Sequence, residues 1–258
     1  MQYDSINVTL EHDIAVITLN RPDVMNALNA QMRAEITNAV HEMGKKARVV
    51  VLTGVGRAFC SGQDLGDSTA ISKIDLERTL RDEYEPMLQS IVTCPVPTIT
   101  ALNGVAAGAG ANLALAADVV IAAKSAYFSQ AFTKIGLMLD AGGTYILPRA
   151  MGAAKAMGAA LFADKISAQQ ADDWGMIWEA VDDTVFADHW MARAKHLANG
   201  PTVAYANIKQ ALRQTWQNTL AQQLEVEARL QKDCGNTRDF QEGVLAFLEK
   251  RHAKFEGR

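Results

Sequence analysis

Cysteine is scarce in this chain. Its 258 residues contain three, Cys60, Cys94 and Cys234, widely spaced and odd in number. That excludes a disulfide framework and any Cys-x-x-Cys pair, and it fits a reducing compartment. Cys60 is expected to be a small buried hydrophobe. Long apolar runs are missing too. The longest weakly polar stretch, Val105 to Ala117, is too short and too rich in Ala and Gly to span a bilayer. No charge of one sign dominates: 25 Lys and Arg face 29 Asp and Glu, a net charge of -4, so a general nucleic-acid surface is excluded. The cluster Lys45, Lys46 and Arg48 reads as a solvated helix end. The five histidines, at positions 12, 41, 189, 196 and 252, show no metal-ligand spacing, and no metal is expected. The opening Met-Gln-Tyr-Asp-Ser-Ile has neither a basic start nor an apolar core, so no signal peptide and a cytoplasmic location are expected.

What is present is an alternation of strand and helix patterns. Ile6–Leu10 and Ile14–Leu19 are β-rich runs around Glu11-His12-Asp13, which reads as a hairpin. From Ala30, apolar Met32, Ile36, Ala39, Val40 and Met43 recur at helical spacing. Val49–Thr53, Thr98–Leu102 and Asp118–Ala122 are short apolar runs of the kind found in buried parallel strands. Gly56 to Gly66 reads as a loop, Asp75 to Ile91 as a helix ended by Pro95 and Pro97, and Asn112 to Ala117 as part of another helix. From Thr144 onward the pattern is almost wholly helical: Ala153–Phe162, Ser167–Trp174 with a capping box from Ser167 to Gln170, Pro201–Trp216, Leu220–Lys232 and Asp239–Lys250. The fold class expected is α/β, a repeated ββα core over residues 1–200 with a helical region over 201–258. Three amphipathic helices in so short an appendage must bury their apolar faces on the core or on another subunit, so an oligomer is expected.

Two segments carry the candidate chemistry. Arg57-Ala58-Phe59-Cys60-Ser61-Gly62-Gln63-Asp64-Leu65 and Asn103-Gly104-Val105-Ala106-Ala107-Gly108-Ala109-Gly110-Ala111-Asn112 each follow a buried strand. Small residues permit close backbone approach to a ligand and leave amides free at a helix start. Two such ends can each aim an N–H at one oxygen and stabilise an oxyanion. Either stretch alone is equally compatible with a tight turn or close packing. A third segment, Gly136-Leu137-Met138-Leu139-Asp140-Ala141-Gly142-Gly143-Thr144, places one carboxylate in an apolar run. Asp140 there is either a helix cap or an acid/base whose pKa is raised by its surroundings.

Together these segments resemble the crotonase (enoyl-CoA hydratase/isomerase) superfamily over nearly the whole chain. The carrying residues are Leu19-Asn20-Arg21-Pro22 with Asn26-Ala27-Leu28, Phe59 through Leu65, Asn103 through Gly110, Gly142-Gly143-Thr144 and Phe247-Leu248-Glu249-Lys250-Arg251. The resemblance implies a crotonase-like spiral core with a C-terminal trimerisation region. It implies an acyl-CoA substrate whose thioester oxygen sits between the backbone amides of Gln63 and Ala109. Backbone groups of Ser61 and Leu65 would then hold the adenine, Val24 and Met25 would line the CoA cleft, and Asp64, Gly110, Asn112 and Phe132 would also belong to the substrate-binding site. Phe247 and Lys250 would reach CoA, often from a neighbouring subunit; a lysine suits the anionic phosphates. No cofactor beyond the substrate's own coenzyme A is implied, and the assembly would be a homotrimer or a dimer of trimers.

The acid/base positions separate reactions within the family. Hydratases of this superfamily place a glutamate on each side of a bound water; here those positions hold Asn112 and Phe132, which disfavours hydration. The remaining acid is Asp140. One carboxylate suits a proton that leaves one carbon and returns to another, which is isomerisation. Val105–Ala111, Gly136-Leu137 with Asp140, Trp174-Gly175-Met176-Ile177-Trp178 and Gly243–Leu248 are similar to the family's isomerases of aryl-CoA ring epoxides, which also shift 3-enoyl-CoA double bonds. Leu139 departs from that pattern, where near relatives carry proline. Phe132, Trp174 and Trp178 could line an aryl pocket or pack in the core. The rival readings are an aryl-CoA dehalogenase, disfavoured by Phe132 where those enzymes carry tryptophan, and an acyl-CoA-binding subunit without activity.

Overall fold

The structure is a computed structural model in which residues 3–66 and 75–258 are described. Strands β1 (Ile6–Glu11) and β2 (Ile14–Leu19) form an antiparallel hairpin, with Ile6 opposite Leu19 and Glu11 opposite Ile14. His12 and Asp13 form its two-residue turn, both at positive φ (50° and 62°), the twist a tight hairpin needs. Helix α1 (Ala30–Gly44) starts where Asn29 accepts the Met32 N–H, and it buries Met32, Ile36, Ala39 and Val40. Strand β3 (Val49–Gly54) lies parallel to β2. The expected loop after it contains a further strand, β4 (Ala58–Cys60), three buried residues too short to leave a period in the sequence.

One helical rod follows, made of α2 (Leu76–Thr79), a π-turn over Leu80–Tyr84 and α3 (Glu85–Val92). Then come β5 (Thr98–Leu102), β6 (Val105–Ala107) and α4 (Ala109–Leu115), all seven residues of which are buried. Helix α4 follows the Gly108 turn, starts at Ala109 and contains Asn112 as expected, but it ends at Leu115, two residues short of Ala117. Strands β7 (Val119–Ala123) and β8 (Tyr127–Ser129) precede α5 (Gly143–Phe162), which is broken at Gly152.

The expectation of an almost wholly helical second half needs correction. Strand β9 (Ile166–Ser167) pairs with β8, and β10 (Glu179–Val181) pairs with β7, on either side of α6 (Ala168–Asp173). The sheets are ordered β1-β2-β3-β5-β7-β10 and β4-β6-β8-β9, parallel except for the β1–β2 and β8–β9 pairs. Successive turns of the chain thus lay one strand in each sheet, and strand ends from different turns converge. The capping box of Ser167 and Gln170 forms as expected.

Helix α7 (Phe186–Ala198) packs on the first sheet, and α8 (Thr202–Gln214), α9 (Leu220–Gly235) and α10 (Arg238–Glu249) follow. Polar clamps dock these last helices. Lys209 Nζ donates to the carbonyls of Cys94 and Val96 at 2.8 and 2.7 Å and pairs with Asp118 at 2.7 Å; Arg213 pairs with Asp118 at 2.6 Å. Arg48 is not a solvated charge. It is half-buried and bonds the Gly200 and Phe255 carbonyls and the Thr202 hydroxyl, whereas Lys45 and Lys46 do lie at the surface beside Glu42. Among the described residues no helix is long and apolar enough to cross a membrane.

Candidate active site

The site is built around the end of β4. Fully buried Asn26 donates to the carbonyls of Val55 and Ala58 at 3.0 and 2.8 Å and accepts the Arg21 N–H at 2.8 Å. Arg21 in turn donates to Ala27 O and pairs with Asp64 at 2.8 Å. Ser61 N–H donates to Met25 O at 3.0 Å and Ser61 Oγ to Val24 O at 3.2 Å, so Val24, Met25 and Ser61 line one edge. Met25 and Asn26 both hold positive φ (53° and 56°), which turns the chain back toward this loop. Leu65 is exposed beside it.

Gly62 brings the two chemistry-bearing segments together. At φ +102° it adopts a backbone that side chains rarely tolerate, and a Cβ there would lie 2.8 Å from Ala107 O and 3.6 Å from Ala109 N. The bridge between Leu28 and Gln63 uses the Leu28 N–H, donated to Gly62 O at 2.8 Å, and the Asp64 N–H, donated to Leu28 O at 3.1 Å. Gln63 N–H takes no part in it. Ala109 N–H opens α4, where no intrahelical acceptor exists. Among the described residues neither amide has a hydrogen-bond acceptor in the protein. Two adjacent, unclaimed N–H groups at strand ends are what an oxyanion needs.

Asp140 lies in the turn between Gly136 (φ 77°) and Gly142 (φ 81°). Its backbone carbonyl is held twice, by Gly143 N–H at 2.9 Å and by Asn112 Nδ2 at 2.8 Å. Its side chain caps nothing: α5 has no side-chain cap bond, and Asp140 Oδ1 is buried without a hydrogen-bond partner. Neighbouring Leu139, Ala141 and Phe132 are buried and apolar. Loss of water raises its pKa from 3.8 to about 6. A carboxylate so placed is ionised at neutral pH, yet basic enough to accept a proton from carbon.

The structure therefore brings Gln63, Ala109, Asn112, Phe132 and Asp140 together. Asn112 is fully buried, and both ends of its amide have protein partners, Asp140 O and Gln130 Nε2. Its observed work is to pin the Asp140 turn to α4. Asp64 likewise holds the scaffold through Arg21. Gly110 lets α4 pack directly on β4, since a Cβ there would collide with Cys60 O and lie 2.7 Å from its Sγ. Phe132 Cζ sits 4.0 Å from where a Gly108 Cβ would stand. Cys60 is buried, with its thiol pushed up to about 12, so it behaves as the inert hydrophobe expected. Trp174 is half-buried under Lys155, and Trp178 is exposed.

Phe247 and Lys250 are not at this cleft in the single chain. Phe247 is 81% exposed and lines a groove of about 940 Å³ between α8, α9 and α10 that shares no residue with the Asp140 site. That groove is lined mostly by apolar side chains of the last three helices, and the raised carboxylate lies elsewhere, at Asp140. Sequence reasoning passed over Arg33, Tyr84 and Gln130. Each sits within an ordinary helix or turn pattern, and only the meeting of distant segments gives it a partner. Among the described residues no group of three His, Cys, Asp or Glu could hold a metal ion.

With this geometry in place, the comparisons are informative. The enoyl-CoA hydratase/isomerase family model matches residues 9–258. The chain is 60% identical, over the full length of both, to a protein of Rhodobacter capsulatus named "probable enoyl-CoA hydratase". It is 44% identical to the 1,2-epoxyphenylacetyl-CoA isomerase of Escherichia coli, covering 96% of this chain and 97% of that one. Among solved structures, an enoyl-CoA hydratase from Bacillus anthracis superposes with a TM-score of 0.91 at 30% identity, covering 99% of this chain and 100% of the other. The chain belongs to the enoyl-CoA hydratase/isomerase family, the crotonases. It is an α/β protein of that fold and an enzyme of that family.

Proposed function

We propose that this enzyme is an acyl-CoA isomerase, acting on ring-1,2-epoxyphenylacetyl-CoA to form the oxepin-CoA in aerobic phenylacetate catabolism and moving 3-enoyl-CoA double bonds to the 2-position. The observation that carries this reading is the lone carboxylate of Asp140, half-buried, with Oδ1 buried and unpartnered and its pKa raised, in a site whose other two family acid positions are Asn112 and Phe132. In the double-bond shift, Asp140 removes the α-proton. The electron pair passes into the thioester, and the enolate oxygen is held by the N–H groups of Gln63 and Ala109. Protonated Asp140 then returns the same proton to the γ-carbon, so atoms and electrons balance without a co-reactant or a cofactor. The coenzyme A is part of the substrate.

Hydratase names are attached to the Rhodobacter capsulatus and Bacillus anthracis proteins, and the test separates the two readings. Hydration needs a second acid/base to activate water, and the Asn112 amide is already bonded at both ends. We also propose a cytoplasmic homotrimer or dimer of trimers formed through α8–α10, in which Phe247 and Lys250 extend to the CoA of a neighbouring subunit. The exposed apolar side chains of those helices favour it. The decisive experiment offers a 3-enoyl-CoA to the wild type and to Asp140→Asn and follows ultraviolet absorbance. Conjugation with wild type alone supports the proton shuttle, and the ring epoxide is then the next substrate. Equal rates in both would remove Asp140 from the mechanism. Water addition to a 2-enoyl-CoA by the wild type would favour the hydratase.

A further inference from the structure

Side chains from three distant segments meet beside the Gln63 amide. Gln63 Oε1 accepts the Tyr84 hydroxyl at 2.5 Å and Arg33 Nη1 at 3.0 Å. The same Arg33 nitrogen donates to Leu28 O at 2.7 Å, the carbonyl that also receives the Asp64 N–H. Glu83 Oε2 holds the other side of the guanidinium, at 3.0 Å from Nε and 2.5 Å from Nη2. The guanidinium lies 4.8 Å from the centre of the Tyr84 ring. Arg33 and Tyr84 are 4% and 3% exposed. Gln63 is therefore gripped by its side chain, and both flanking peptides are gripped through Leu28.

Glu83 and Tyr84 are the last two residues of the π-turn over Leu80–Tyr84. In an α-helix, consecutive side chains diverge by about 100° around the axis. Here the neighbours Glu83 and Tyr84 both reach Arg33. Stability alone does not account for such a cluster. A buried ion pair loses in desolvation roughly what it gains in attraction, and an apolar replacement is often as stable. What the cluster does supply is a fixed geometry at one peptide.

We propose that Arg33 and Tyr84 are positioning residues that fix the Gln63 side chain and, through it, the aim of the Gln63 N–H at the thioester oxygen. This rests on the reading of that amide as an oxyanion donor. Burial raises the Tyr84 phenol, and Arg33 opposes the rise. A phenol so raised stays protonated and keeps donating to Gln63 throughout the working pH range.

The test uses 4-(dimethylamino)cinnamoyl-CoA, whose absorbance moves to the red when its thioester carbonyl is polarised. Wild type should red-shift the bound probe. Tyr84→Phe, Arg33→Met and Gln63→Leu should each shrink the shift and lower kcat by about 10-fold or more with KM changed about twofold at most, since a small misplacement of a catalytic group costs rate rather than binding. Gln63→Leu keeps the backbone amide and removes only the shared acceptor. Combining Tyr84→Phe with Gln63→Leu should add nothing to the loss. If Arg33→Met fails to fold, Tyr84→Phe and Gln63→Leu decide the matter, because one removes a single oxygen and the other an acceptor. Full red shift and full kcat in those two variants overturn the proposal. A wild type that binds the probe without any red shift overturns the oxyanion reading and the positioning role with it.

Discussion

The spiral core and the C-terminal helices solve the burial problem in opposite ways. In the core, β5 is buried at all five positions and α4 at all seven. In α8 no residue is fully buried, and Ile208, Leu212, Trp216, Leu220, Leu224, Phe240, Val244, Leu245, Phe247 and Leu248 are exposed from α8 through α10. The core closes its apolar surface within one chain, and buried amides such as Asn26 and Asn112 find partners there, while Thr100 Oγ1, Gln130 Oε1 and Asp140 Oδ1 are left without one. The C-terminal helices reverse this. Polar clamps tie them to the core, ion pairs from Lys209 and Arg213 and hydrogen bonds from Arg48, while many of their apolar side chains are exposed. An exposed apolar patch of this extent marks an interaction surface. The difference teaches which part of the molecule closes on itself and which leaves its apolar face open to a partner surface.

Four perturbations test that contrast. The largest effect is expected at the half-buried acid: Asp140→Asn should lower isomerisation by about 10³-fold while acyl-CoA binding, measured by calorimetry, stays within a few-fold. Retained turnover would mean that the rigid core houses a different acid. Next, Gly110→Ala should destabilise the chain by about 2–4 kcal/mol in denaturant melts, because the new methyl meets Cys60 O and neither backbone has room to move. A neutral outcome would show the core to be looser than its packing indicates.

A smaller loss is expected from the outer face. Leu212→Asp with Leu224→Asp should convert a sedimenting oligomer to monomer and lower Tm in a concentration-dependent way, by about 2–4 °C for each kcal/mol of lost association. Helicity should remain, since both side chains are more than half exposed. Unchanged sedimentation would remove α8 and α9 from the interface.

The smallest effect concerns pH. The Asp140 pKa of about 6 lies above its ordinary 3.8, so the folded state holds this proton more tightly than the unfolded chain. This contribution to stability is full below about pH 4 and is lost as pH rises through 6. Asp140→Asn should therefore be more stable than wild type by about 1–2 kcal/mol at pH 7.5, less than a fully buried group would give because the carboxylate is partly exposed, with the gap closing below pH 4. The wild-type kcat/KM should rise with pH through about 6, as the base ionises. A gap that persists at pH 3.5 would point to packing rather than to charge.

Much of this was legible in the chain itself. The hairpin at His12-Asp13, the α1 start at Ala30, the strands Ile14–Leu19 and Thr98–Leu102 and the Ser167–Gln170 capping box all rest on local chemistry: turn residues, caps and periodicity. So does the isolation of Asp140 as an acid in an apolar run. Strands β4, β6, β8, β9 and β10 were not legible, because two or three residues carry no usable period and exist as strands only through partners in other turns of the spiral.

The sequence by itself determined the α/β class, the family, and the composition of the acid/base positions, since those depend on residue identity and short-range order. Only the tertiary structure decided the rest. It placed Gln63 N–H beside Ala109 N–H through the close approach at Gly62, and it turned Asn112 into a brace for Asp140. It also gathered Arg33, Gln63 and Tyr84 into one hydrogen-bonded knot. These residues lie 21 to 51 positions apart, and their meeting is fixed by strand register and helix packing, which no local pattern encodes.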